Sequence, residues 1–159
     1  MADKPSGARR RGRTLAFQVI YGLGFVLPEP GPQLNVAFAE NPAVVDTTSD
    51  AARDFAKELA TGVCEHREAI DAAIEAHSKH WKIKRIGRVE LAILRLAIHE
   101  MLHRPDVPLK VAINEGVELA KRFGDENSKG FVNGILDGAA KAVHRGELTA
   151  VDDAAKTKD

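Results

Sequence analysis

The strongest chemical signature in the chain is His99-Glu100-Met101-Leu102-His103, which matches H-E-x-x-H. On a helix that spacing sets two imidazoles one turn apart to bind zinc, with the glutamate beside them to activate water. A hydrolase also needs an open cleft, a third protein ligand and no competing cation. The extended pattern fails, because Asp106 and Leu109 stand where a glycine and a third histidine belong. Arg88 and Arg95 fall on the same helical strip as His99 and His103, and their charge raises the cost of holding a dication. Glu115 or Glu118 on a following helix could complete a site, so a zinc-dependent hydrolase stays as the minor reading. His77 and His80 are expected on a polar helix face, and Asp71 and Glu75 on a solvated one. No Gly-x-Gly-x-x-Gly, phosphate-binding lysine loop or Gly-x-Ser-x-Gly elbow occurs, and Cys64 has only His66 near it in sequence. The expectation is a chain that is not an enzyme, with no catalytic residue, metal or cofactor.

Binding chemistry has more to stand on. Net charge is zero, with 23 Lys+Arg against 23 Asp+Glu, yet the charges are segregated. Lys4, Arg9, Arg10, Arg11 and Arg13 face only Asp3 at the start, the stretch 40–75 is acidic, and 79–95 is basic again. Such asymmetry points to a polyanion. Binding RNA takes cations for phosphates and planar groups on which unpaired bases stack. Phe17 and Tyr21 lie one helical turn apart, continuing a face that begins near Arg10 and Thr14, with Gln18 beside them to read base edges. Phe131 follows Lys129 in the first turn of a final helix, where backbone amides favour phosphate. Each aromatic could instead serve a core, Phe17 above all.

These residues need a scaffold, and the 159-residue chain fits one domain. It is 44% hydrophobic and 29% charged, a globular composition. One cysteine excludes an internal disulfide and a Cys-rich zinc site. No apolar run approaches the roughly 20 residues of a membrane-spanning helix. The arginines followed by Leu15 to Leu27 and Ala37-Phe38-Ala39 imitate a secretory signal, but Gln18 interrupts the apolar stretch and the cut site is remote, so an ordinary first helix is expected.

Helical spacing recurs throughout, and alternating strand patterns bounded by hairpin turns are missing. Thr14 predicts a helix start, ended near Leu27 by the prolines at 28, 30 and 32, with a loop over 28–45. Thr48, Ser49 or Asp50 caps a helix carrying Phe55, Leu59 and Val63, and another runs through Ile70 and Ile74 to about Trp81. Ile86 to Leu102 is apolar around most of its circumference and reads as the central helix, with Arg88, Arg95, His99 and His103 on the remaining strip. Asp106 caps a helix ending at Gly124, and Ser128 caps the last, to Val143. The expected organisation is a flexible basic arm over 1–8, a single all-helical RNA-binding domain over 9–145 and a flexible tail over 146–159.

The runs Arg9-Arg10-Arg11-Gly12-Arg13, Gln18-Val19-Ile20-Tyr21, Glu90-Leu91-Ala92-Ile93-Leu94-Arg95-Leu96-Ala97-Ile98-His99-Glu100, Asp106-Val107-Pro108-Leu109-Lys110-Val111-Ala112-Ile113-Asn114-Glu115, Glu118-Leu119-Ala120-Lys121-Arg122-Phe123-Gly124 and Phe131-Val132-Asn133-Gly134-Ile135-Leu136-Asp137 resemble the NusB family of bacterial transcription antitermination factors. The likeness spans residues 8 to 143 and is densest in the second half. It implies an all-α fold of two small packed helical bundles with about seven helices. It also implies a cytoplasmic protein that binds the boxA segment of nascent ribosomal RNA together with NusE, a small-subunit ribosomal protein, within the RNA polymerase antitermination complex that reads through terminators in ribosomal RNA operons. Carried over by position, Arg10, Arg11, Arg13, Gln18, Arg95, Asn127, Lys129 and Phe131 form the RNA face, and Tyr21 and Glu90 contact NusE. His99 stands where the family often has tyrosine. Gly130 replaces a basic residue common before the phenylalanine, and Asn127 replaces a common acid, which removes repulsion toward phosphate. The similar RNA-binding domain of certain ribosomal RNA methyltransferases is the alternative, here without a methyl-donor site.

Overall fold

The computed structural model describes residues 5–150 apart from His80. The described residues form eight α-helices and one 3-10 turn, with no strand. In order they are α1 (Pro5–Leu23), α2 (Pro32–Glu40), α3 (Pro42–Asp46), α4 (Asp50–Glu65), α5 (Arg67–His77), the 3-10 turn Ile83–Arg85, α6 (Arg88–His103), α7 (Leu109–Phe123) and α8 (Ser128–His144). None of these helices is long and apolar enough to cross a membrane. The chain divides into two compact units between Glu65 and His66.

In the first unit α1 lies along α4. Leu15, Ala16, Val19 and Ile20 of α1 and Ala52, Ala56, Leu59, Ala60 and Val63 of α4 are all buried, and burial of each large side chain stabilises by roughly 1.5–3 kcal/mol. Gly12 permits the crossing, because a Cβ there would meet Phe55 Cδ2 at 2.7 Å and the Ala52 carbonyl oxygen at 3.0 Å. The Ser49 hydroxyl accepts from the Ala52 N–H at 3.1 Å and caps α4 as expected.

Three expectations fail in this unit. α1 begins at Pro5 rather than Thr14, so residues 5–8 of the expected arm are helical and Thr14 donates back to the Arg10 carbonyl at 3.2 Å instead of capping. It ends at Leu23, where Gly24 adopts φ 83, four residues before Leu27. The expected loop over 28–45 contains α2 and α3. Pro32 and Pro42 open these helices, since a first-turn position needs no amide hydrogen, and the Asn41 side chain caps α3 by accepting from the Ala43 N–H at 3.0 Å.

In the second unit α6 is the core helix, with α5, α7 and α8 packed around it. Every residue from Leu91 to Met101 is buried, so Arg95 and His99 of the expected polar strip are covered, whereas Arg88 at the helix start is exposed and His103 half-buried. α5 stops at His77 instead of Trp81, and Lys79 follows at φ 49. Glu75, expected on a solvated face, turns inward and its carboxylate accepts from the Ile83 N–H at 2.9 Å, which fixes the 3-10 turn. α7 starts after Pro108, and Asp106 pairs with Arg104 at 3.4 Å rather than capping.

Candidate nucleic-acid interface

α1 carries the first group of expected binding residues. Arg10, Thr14 and Gln18 recur every four residues and share a face, with Arg10 and Arg11 exposed and Gln18 half-buried. Arg13 is on the other side of the helix and only 5% exposed, its guanidinium 5.6 Å from the centre of the Phe55 ring. Arg9 stands over the same ring at 5.2 Å. Arg13 therefore departs from the expected RNA face: it anchors α1 to α4 through a cation–π contact. Phe17 is core at 3% exposure and cannot stack on a base, whereas Tyr21, its ring centre 6.1 Å from that of Phe17, is 39% exposed.

In the second unit Arg95 departs from expectation for a different reason. It is 1% exposed, and its guanidinium donates to both carboxylate oxygens of Asp71 on α5, Nε to Oδ1 at 2.9 Å and Nη2 to Oδ2 at 3.0 Å. A two-pronged pair of this kind is directional and strong, and it consumes the groups that a phosphate would need. Arg95 positions α5 on α6 and presents no charge to RNA.

The H-E-x-x-H residues are also interior. His103 stacks on His66 with ring centres 3.7 Å apart and planes at 10°, and the ring of His99 lies 5.3 Å from that of His103. Ring-nitrogen lone pairs lie in the ring planes, so near-parallel rings direct them along parallel layers and not toward one metal. Glu100 is buried beside them, and among the described residues no group of three or more histidine, cysteine or carboxylate side chains could hold a metal ion. Burial above all, then the neighbouring His103, His66 and Arg104, lowers the pKa of His99 from 6.5 to about 3 and holds the ring neutral.

The remaining expected residues converge. The N-terminal ends of α6 and α8 and the segment before the 3-10 turn enclose an open hollow of about 270 Å³, lined by Trp81, Arg85, Glu90, Asn127, Ser128 and Phe131 among others. Trp81 is half exposed and Phe131 half-buried, so neither ring is spent on the core. Lys82, Lys84, Arg85, Arg88 and Lys129 are exposed on these segments and on the 3-10 turn itself. Glu90, expected to contact NusE, lines this hollow as well. Its carboxylate accepts from the hydroxyl of Ser128, which itself accepts the Asp125 N–H at 3.0 Å. The Asn127 N–H donates to Asp125 Oδ1 at 2.9 Å, so this acid organises the turn into α8. Asn127 and Lys129 are exposed at that turn. Sequence reasoning missed Trp81 and Arg85, although a lone aromatic inside a Lys/Arg-rich run was the available signal.

The family model described as NusB matches residues 10–141. A transcription antitermination protein NusB of Nitratidesulfovibrio vulgaris is 51% identical over 149 residues, covering 93% of this chain and 97% of that one. One of Geobacter sulfurreducens is 46% identical over 137 residues, covering 86% and 96%. Among solved structures, T. maritima NusB aligns with a TM-score of 0.74 at 35% identity, covering 89% of this chain and 93% of that chain. A chain from a crystal structure of antitermination factors NusB and NusE in complex with dsRNA aligns at 0.71 and 30% identity, covering 86% and 98%. With a helical fold, a family match over most of its length and relatives this similar, the chain belongs to the NusB family.

Proposed function

We propose that this protein is a cytoplasmic transcription antitermination factor that binds the boxA segment of nascent ribosomal RNA together with NusE and promotes read-through by RNA polymerase in ribosomal RNA operons. It acts by binding and not by catalysis. The observation that carries the reading is the hollow in which Trp81 and Phe131 stand beside exposed lysines and arginines, the combination of stacking surface and phosphate-binding charge that single-stranded RNA requires. The relative solved with NusE and dsRNA supports the choice of partners.

In this reading Arg10, Arg11 and Lys129 meet phosphates, Gln18 and Asn127 meet base edges and Phe131 stacks. Arg13 and Arg95 act from inside by fixing α1 and α6. Tyr21 is the remaining NusE contact, and Glu90 goes with the RNA residues of its hollow. Titration of labelled boxA RNA with and without NusE tests the whole: submicromolar, salt-dependent binding that NusE tightens is expected, and binding indifferent to both RNA sequence and NusE would refute it. The arm over 1–8 and the single 9–145 domain remain parts of the proposal, and limited proteolysis with and without RNA tests them.

A further inference from the structure

We propose that the hollow lined by Trp81, Arg85, Glu90, Asn127, Ser128 and Phe131 is a guanine pocket, in which the Glu90 carboxylate reads the base. The inference rests on the RNA-binding reading above and names the base it selects. Its starting point is the way Glu90 is held. One carboxylate oxygen takes the Ser128 hydroxyl, and the other lies over Gly87 so closely that a Cβ on that residue would collide with it. Gly87 has φ −60 and ψ 147, ordinary extended geometry open to any residue, so the backbone does not call for glycine. The missing side chain makes room for the carboxylate.

A fixed carboxylate in a hollow lined also by two partly exposed aromatic rings has a definite chemical preference. It is acceptor-only when ionised and takes two parallel N–H donors well. Among the four RNA bases only guanine offers two adjacent donors, its ring N1–H and exocyclic N2 amino group, on the pairing edge. Uracil offers one N–H flanked by carbonyls that repel a carboxylate, whereas adenine and cytosine place an acceptor next to their amino group. Trp81 and Phe131 supply faces for stacking, and Arg85, Lys82, Lys84 and Lys129 offset the acid's repulsion of the flanking phosphates.

The test uses Trp81, the only tryptophan, as its own reporter. The intact protein is titrated with single-stranded oligouridine, with the same oligomer carrying one central guanosine, and with inosine in that place, which lacks the N2 amino group. Tryptophan quenching and the anisotropy of labelled RNA are read together. The guanosine oligomer is expected to bind about tenfold more tightly than the other two, the range for one paired readout contact, and to quench Trp81. Glu90→Gln should remove that preference, so that the guanosine and inosine oligomers bind alike, and Gly87→Ala should weaken it by displacing the carboxylate. Equal affinity for all three oligomers overturns the guanine pocket and leaves RNA binding standing, as does tight binding without quenching. No binding of any RNA overturns both readings.

Discussion

Replacing His99 by phenylalanine should remove a defined part of the protein's acid sensitivity. His99 is 4% exposed and stays neutral down to a pKa of about 3, whereas in the unfolded chain it titrates near 6.5. Between those values the unfolded state binds a proton that the folded state refuses, so stability falls as pH falls, by up to about 1.4 kcal/mol per pH unit. The contribution is intact above 6.5 and lost progressively below it. Integrated from pH 7 to pH 5, the loss assigned to His99 is about 2 kcal/mol. That window stops above the ordinary carboxylate range, which keeps the acids from dominating. Urea unfolding of the parent and of His99→Phe at both pH values gives two pH-dependent losses, and their difference is the quantity of interest. Any fixed cost of fitting phenylalanine cancels within the variant. If the variant loses as much stability as the parent between pH 7 and pH 5, His99 is not held neutral by its surroundings.

Arg10→Ala with Arg11→Ala should weaken boxA binding and flatten the slope of log affinity against log salt by about 1.4, roughly 0.7 for each phosphate of a single strand left without its arginine, and an unchanged slope removes both from the interface. Asp71→Ala removes the two-pronged partner of the buried Arg95 guanidinium and should destabilise by about 3 kcal/mol, toward the lower end for broken buried pairs because Asp71 is partly exposed, as read by chemical unfolding. Phe131→Ala should weaken RNA binding by about 1–3 kcal/mol with little change in melting temperature, and the reverse pattern would make the ring structural.

The central helix is legible in the sequence because Ile86 to Leu102 is apolar on nearly every side, and Gly124 and Ser49 mark a helix end and start through local chemistry that tertiary structure does not override. Prolines mislead. Pro5, Pro32 and Pro42 open helices, whereas a reading of 28–45 that treats proline only as a breaker yields a loop. Arg95 and Glu75 are hidden for another reason. Their partners are Asp71 on a different helix and the backbone of Ile83, and helical spacing says which residues share a face without saying what covers it. The hollow is half visible: Asn127, Lys129 and Phe131 follow from the family pattern, which assigns Glu90 to another surface, whereas Trp81 reaches the site only because α5 ends early and the chain turns at Lys79.

The placement of the single cysteine and the single tryptophan gives each unit an intrinsic reporter. Cys64 lies fully buried on α4, so a thiol reagent reaches it only when the first unit opens, and its labelling rate under native conditions measures that opening. Trp81, half exposed at the second unit's hollow, reports on the other through its emission. Coincident thiol-labelling and fluorescence transitions in urea would make the two halves one cooperative body, and separated transitions would make them independently folding modules, a distinction accessible on the unaltered chain.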